Sequence, residues 1–289
     1  HSYYNDEHMN INIQNENSIL ASSHYDRCEG VVNDIFSQNK SMALFLDIDG
    51  TLAEFQIDPS SCFISKDILH LIQHIQQHLT VAAVTGRDLS SAKSMFGAID
   101  LPIAALHGLL IYLDDQNQFS KHSQSELFQA LEIILNKDIQ RYPELIIENK
   151  QHAIALHYRK CPELQQIAGL MMQRLQHQHD QLRLIKGKYV YELVWNDIDK
   201  GQAIAEISHL LNLQNHLAVF IGDDRTDEDG FSYVNQMKGV TIKVGEGATN
   251  ATYRFKNIDQ VNFFLRVFLE RLRDTAIPKH LEKYGEEHV

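Results

Sequence analysis

The sequence predicts an α/β protein: a doubly wound parallel sheet with a smaller α+β domain inserted into it. Three observations carry that expectation. Short continuous apolar runs alternate with helical stretches, polar motifs follow the runs, and residues 119–195 change to an α-β-β-α-β-β order. The 289 residues suffice for two modest domains, and an apolar content of 44 % is ordinary for a globular chain.

Taken in order, residues 1–40 form an N-terminal extension. Its first 17 residues are rich in Asn, Gln and His, which predicts disorder, and 18–37 carry the pattern of one helix. "MALFL" at 42–46 is a short unbroken apolar run, as expected of a strand buried on both faces. "TVAAV" at 80–84, "PIAAL" at 102–106 and "LAVFI" at 217–221 look the same, and "VTIKV" at 240–244 is a weaker fifth. Helical stretches over 66–78, 88–97 and 200–213 separate them. Buried strands alternating with helices wind into a parallel sheet, and such sheets bind ligands at the carboxyl ends of their strands.

The insertion reads differently. A helix ending at Tyr142 precedes "LIIENK" and "AIALHYR"; a helix over 163–178 precedes "LRLIKGK" and "YVYELVW". That spacing suits hairpins of an antiparallel sheet with helices on one face. The boundaries expected are therefore a core of 41–118 and 196–275, with a cap of 119–195. The amphipathic "VNFFLRVFLERLRDT" covers the core sheet.

Bulk properties narrow the function. A net charge of −12 argues against nucleic acid as partner. Three scattered cysteines give neither a disulfide framework nor a zinc spacing, which suits a reducing cytoplasm. No run is long enough to cross a bilayer, and the polar N-terminus has no secretory signal pattern, so no membrane partner is expected.

Chemistry concentrates after the core strands. "DIDGT" follows the first, where alternation puts Asp47 and Asp49 on one side and Ile48 on the other. One carboxylate can attack phosphorus while its neighbour passes a proton, and a divalent cation such as Mg²⁺ would relieve their repulsion. Two turn-capping aspartates are the plainer explanation. "TGRD" follows the second strand. Thr85 and the backbone beside Gly86 can hold an anion, or Asp88 simply caps the next helix. "GDDRTDED" follows "LAVFI", with five acids in eight residues. Asp223 stands at the strand end, where it can complete a cation site; otherwise this is a solvated acidic loop. Lys200 opens a helix, which the helix dipole disfavours unless an anion meets it.

Together these segments resemble the four motifs of the haloacid dehalogenase superfamily of phosphotransferases, and the insertion resembles its C2-type cap. Within that superfamily "PIAALHG", "ENKQHAIALHYR", "GKYVYEL", "DKGQAI", "GDDRTDEDGF" and "VGEGATNATYR" resemble the trehalose-6-phosphate phosphatases, over about residues 42–265. The pattern departs after "HG", where this chain has "LLIY", and after "EL", where it has "VWND" in place of a basic residue and Pro. The resemblance implies a haloacid dehalogenase-like core and hydrolysis of a phosphorylated disaccharide through an aspartyl phosphate on Asp47. Asp49 would be acid and base, and Thr85 and Lys200 would hold the phosphoryl group. Asp227 would orient Lys200 or the metal's water shell. Mg²⁺ would sit on Asp47, the carbonyl of Asp49, and Asp223. Gly86, Arg87, His107 and Gly108 would meet the substrate from the core, and Glu148, Lys150, Lys188 and Glu192 from the cap. Cross-strand ion pairs on an outward charged face are the plainer explanation for those four. Other small phosphosugars, of the sucrose 6-phosphate or mannosylglycerate phosphate type, are alternative substrates. A catalytically silent regulatory partner of a trehalose-phosphate synthase is an alternative role. A receiver-like phosphoacceptor does not suit the second acidic cluster and the large insert.

Overall fold

The computed structural model describes residues 25–56, 58–122 and 126–275. The expected disorder of residues 1–17, and residues 18–24 of the expected first helix, lie outside these. The helix itself begins at Cys28: α1 is Cys28–Ser37, with Cys28, Val31, Val32 and Ile35 buried along one face.

The core sheet starts with β1 (Met42–Leu46), then β2 (Thr80–Val84) and β3 (Ile103–Ala105), with α2 (Lys66–Ile75) and α3 (Leu89–Phe96) between them. β4 (Leu110–Asp114) and β5 (Asn117–Ser120) follow directly. The inserted region holds α4 (Glu126–Asp138), β6 (Ile146–Asn149), β7 (Ala153–His157), α5 (Gln165–His177), β8 (Leu182–Gly187) and β9 (Val190–Trp195). The chain then returns through α6 (Lys200–Leu210), β10 (Leu217–Gly222), α7 (Asp227–Gln236), β11 (Val240–Val244), β12 (Tyr253–Phe255) and α8 (Ile258–Thr275).

The eight-stranded sheet has the order β12-β11-β10-β1-β2-β3-β4-β5. The first six strands are parallel; β3–β4 and β4–β5 are antiparallel. The continuous apolar runs are explained by burial on both sides. Leu44 and Leu46 of β1 join the cluster built with α1, α2, α3 and α8. Ala43 and Phe45 join the one built with α6 and α7.

Three strands were not expected. β12 has only three residues, and all four residues of β5 are exposed, so neither shows an apolar run. β4 is the "LLIY" departure, with Tyr112 buried and its hydroxyl donating to Asp100 Oδ1 at 2.8 Å. Core pairing therefore runs to Ser120, past residue 118, where the core was expected to end.

The second sheet is wholly antiparallel, in the order β6-β7-β9-β8. One face packs on α4 and α5 through Ile154, Leu156, Leu193, Phe128 and Met172. The other face carries Glu148, Ala155, Glu192 and Ile185 in one cross-strand row and looks across a cavity of about 770 Å³ toward the core.

Candidate active site

Because β1, β2 and β10 are parallel neighbours in register, with Leu46 beside Ile221 and Ala83, their carboxyl ends meet on one edge. The chain leaves β1 toward β2 on one side and reaches β10 on the other. This is the topological switch point at which doubly wound sheets place ligands. Asp47, Thr85 and Asp223 each follow one of these strands.

Asp47 is buried, and its backbone N–H donates to Ile221 O at 3.0 Å. Thr51 Oγ1 lies 3.0 Å from Asp47 Oδ2 and 3.3 Å from Asp223 Oδ1, so one hydroxyl spans two carboxylates. Lys200 Nζ donates to Asp47 Oδ1 at 2.8 Å and to Asp227 Oδ1 at 2.7 Å, with its side chain 2 % exposed. The lysine in a first helical turn is thus held against the dipole by two carboxylates. Asp199 caps the same helix, accepting from Gln202 N at 2.8 Å. Asp227 does more than hold Lys200. Its Oδ2 accepts from the N–H groups of Asp223 and Asp224, which fixes the loop after β10.

Burial pushes the Asp47 carboxyl up to about 8, with Lys200 drawing it down and Asp223 adding to the rise. Burial also pushes Asp227 up to about 8, reinforced by the charge of Asp47. Burial opposes the charge on Lys200, yet Asp47 and Asp227 together raise it above the ordinary lysine value. Lys200 is the one cation that pairs with these carboxylates among the described residues, little positive charge for so many of them. Oxygens of Asp47, Asp223 and Asp227 lie within 4.8 Å of one another, a hard-oxygen set suited to a small divalent cation. Gly50 makes the approach of Asp223 possible: at φ +81° it has no Cβ, and one placed there would stand 1.8 Å from Asp223 Oδ2.

Asp49 is placed otherwise than by this acidic set. Arg87 clasps it with Nε to Oδ2 and Nη2 to Oδ1, both at 2.7 Å, and reaches Ser91 with Nη1. Each oxygen keeps a second lone pair, so the fork orients Asp49 and leaves it able to carry a proton. Thr85 Oγ1 accepts from Arg87 N, and Asp88 caps α3 by accepting from Ser91 N at 2.8 Å. "TGRD" thus supplies both a threonine that lines the site and the cap.

Asp47, Asp49, Thr85, Arg87 and Lys200 line a chamber of about 400 Å³. It continues into the larger cavity, sharing Gly86, His107, Lys200 and Thr226 with it. His107 sits at this junction in a left-handed conformation (φ 59°), its N–H donating to Thr85 O at 2.8 Å. Its ring packs where a Cβ on Gly86 would have to go. Gly108 is a correction. It is buried, at φ +106°, where a Cβ would stand 2.7 Å from that of Ala203, so it lets α6 pack closely and lines neither chamber.

Burial, followed by the charge of Lys200, pushes His107 down to about 4. The folded state then binds fewer protons than the unfolded one between that value and about 6.5. The resulting stabilisation is complete above about pH 6.5 and is lost as pH falls through about 4. It is worth up to about 3 kcal/mol. Denaturant titrations across this window should give a steeper loss for the native chain than for His107→Asn; identical slopes would refute it.

The cap residues divide. Lys150 and Glu192 line the cavity and approach each other at 3.3 Å. Glu148 shares the row of Glu192 but is 2.8 Å from His157 Nε2 and lies outside the lining. Lys188 is exposed in the turn between β8 and β9, not on a strand, and also lies outside it. Two lining residues were not singled out in the sequence: Arg183, with no motif around it, and Arg225, which lies within "GDDRTDED" and whose Nη1 crosses from the core to Lys186 O at 3.1 Å.

Known proteins share the sequence pattern and the fold of this chain. The sequence pattern of the trehalose-phosphatase family matches residues 45–259. The chain is 30 % identical over 233 residues to the trehalose-6-phosphate phosphatase of Escherichia coli (strain K12), covering 80 % of this chain and 88 % of that one. Its fold is that of an Aspergillus fumigatus trehalose-6-phosphate phosphatase structure (TM-score 0.71, 20 % identity, 86 % and 100 % of the two chains). It also matches a haloacid dehalogenase-like hydrolase from B. subtilis (TM-score 0.55, 15 % identity, 78 % and 98 %). The chain belongs to the trehalose-phosphatase family.

Proposed function

We propose that this phosphatase hydrolyses trehalose 6-phosphate to trehalose and phosphate, the last step of trehalose synthesis, through an aspartyl phosphate on Asp47. The observation that carries the reading is the position of Asp47. It is a buried carboxylate pinned by Lys200 and Thr51 at the mouth of a chamber that opens onto a polar cap sheet. Asp47 attacks phosphorus while Lys200 and Thr85 hold phosphoryl oxygens. Asp49, oriented by Arg87, protonates the departing sugar oxygen and then takes a proton from the water that releases phosphate. Asp47 and Asp223, with Asp227 or the Asp49 carbonyl beside them, would hold Mg²⁺. When bound, it neutralises the repulsion between carboxylate and phosphate and spreads transition-state charge.

Phosphate monoesters resist hydrolysis strongly, so this division of labour must lower a very high barrier. The cap supplies what the core lacks. Lys150 and Glu192 offer donors and acceptors to sugar hydroxyls, which favours a phosphorylated sugar over a bare phosphate ester. The matched relatives favour trehalose 6-phosphate over the sucrose 6-phosphate and mannosylglycerate phosphate types, and over a silent regulatory partner. Among the described residues no helix is long and apolar enough to cross a membrane. The free thiols of Cys28, Cys62 and Cys161 fit a reducing cytoplasm.

Phosphate release measured over a panel of phosphorylated sugars with Mg²⁺ tests this. Trehalose 6-phosphate should have the highest kcat/KM. Glu192→Ala or Lys150→Ala should lower it about ten- to hundredfold, the effect of losing a charged hydrogen bond. Turnover of p-nitrophenyl phosphate should change much less. A wild-type preference for another phosphosugar would overturn the substrate; equal losses on both substrates would overturn the cap's role.

A further inference from the structure

Arg183 lies on β8 directly opposite Val194 of β9, on the sheet face turned away from α4 and α5. Both line the large cavity, with Ile185 and Ala153 as apolar neighbours on that face. Its Nη2 donates to Ile198 O at 2.9 Å, which fixes the plane of the guanidinium. Its Nε is buried and has no hydrogen-bond partner. Asp199 and Asp229 line the same cavity, yet Arg183 joins none of the ion pairs among the described residues. A guanidinium held on one arm, with its remaining donors in a rigid fork, can meet two neighbouring oxygens at once.

Position decides which oxygens. Gly86 and His107 line both chambers, so a sugar ring attached to the bound phosphate passes them first. Arg183 lines the larger chamber alone and is placed to meet whatever extends beyond that ring.

We infer that Arg183 reads adjacent hydroxyl groups of the sugar ring remote from the phosphate and is a specificity-determining residue of this enzyme. The inference rests on the phosphorylated-disaccharide reading above. Its competitor is a brace: Arg183 holding the returning chain through Ile198 O and nothing more.

Arg183→Met and Arg183→Lys in the full chain separate the two. With Mg²⁺, kcat and KM are measured on trehalose 6-phosphate, glucose 6-phosphate and p-nitrophenyl phosphate, alongside Tm. Arg183→Met should lose about tenfold or more in kcat/KM on the disaccharide and change within about twofold on the two smaller substrates. Arg183→Lys, which keeps the charge without the fork, should recover only part of the loss. Equal losses on all three substrates, full recovery by lysine, or no loss at all would overturn the inference. Should Arg183→Met fail to fold, the lysine variant decides by the same comparison. If the wild type turns over p-nitrophenyl phosphate but not trehalose 6-phosphate, the substrate reading fails. The ratio is then taken on whichever disaccharide phosphate is hydrolysed, and an enzyme active only on monosaccharide phosphates overturns the inference as well.

Discussion

Asp47→Asn should reduce turnover by at least about three orders of magnitude while leaving the fold intact. The amide has the shape of the carboxyl and keeps an oxygen for Lys200 or Thr51, so packing at the end of β1 is preserved. What disappears is the nucleophile, since an amide oxygen does not displace an alkoxide from phosphorus. Stability should hold or rise in the metal-free protein, because one of the carboxylates crowded with Asp223 and Asp227 has become neutral. Thermal unfolding and phosphate release on the same preparation check both halves. A folded variant within about tenfold of wild-type turnover would remove Asp47 from the nucleophile's role.

The sequence carried the core because both faces of its strands are buried. Four unbroken apolar runs reveal such strands, and a polar residue within two positions after each marks the edge where chemistry gathers. It did not carry β5, whose side chains all face solvent, or β12, too short to show a period. Sheet-edge pairing by backbone leaves little mark on side-chain type. Asp47, Asp49, Thr85 and Lys200 were legible as candidates because each belongs to a short local motif. Their partnerships were not. Arg87 clasps Asp49 from 38 residues away, and Thr51 joins Asp47 to Asp223 across 172. Gly108 beside His107 looked like a residue at the ligand, and only the close approach of Ala203 shows it to be packing. The cap was the least legible. The motifs pointed to Glu148, Lys150, Lys188 and Glu192, but not to the places of Lys188 in a turn and of Glu148 beside His157. Arg183 lay outside every motif and emerged only when β8 was paired with β9.

The same acidic crowd that makes Asp47 an awkward residue to bury predicts a strict need for a divalent cation. Among the described residues Lys200 is the one cation paired with Asp47 and Asp227, Lys243 reaching only the carbonyl of Asp223, and an incoming phosphate adds more negative charge to the same chamber. Attack by an anion on an anion in that setting is slow unless a cation stands between them. Treatment with excess chelator should therefore reduce phosphate release to background, and added Mg²⁺ should restore it. A ligand that binds only the folded state also raises stability, by about 2.7 kcal/mol at a hundred times its Kd. Mg²⁺ should accordingly raise Tm in the absence of substrate, a readout that does not depend on catalysis. Asp223→Asn should weaken both effects together. Its amide can still accept from Thr51, so loop geometry survives while a charged ligand atom is lost. Calorimetric titration of Mg²⁺ into the variant would then show weaker binding, by about tenfold or more if that carboxylate is a direct ligand. Undiminished turnover in chelator, with no Mg²⁺-dependent change in Tm, would mean that Lys200 alone balances the site and that the three aspartates serve the fold.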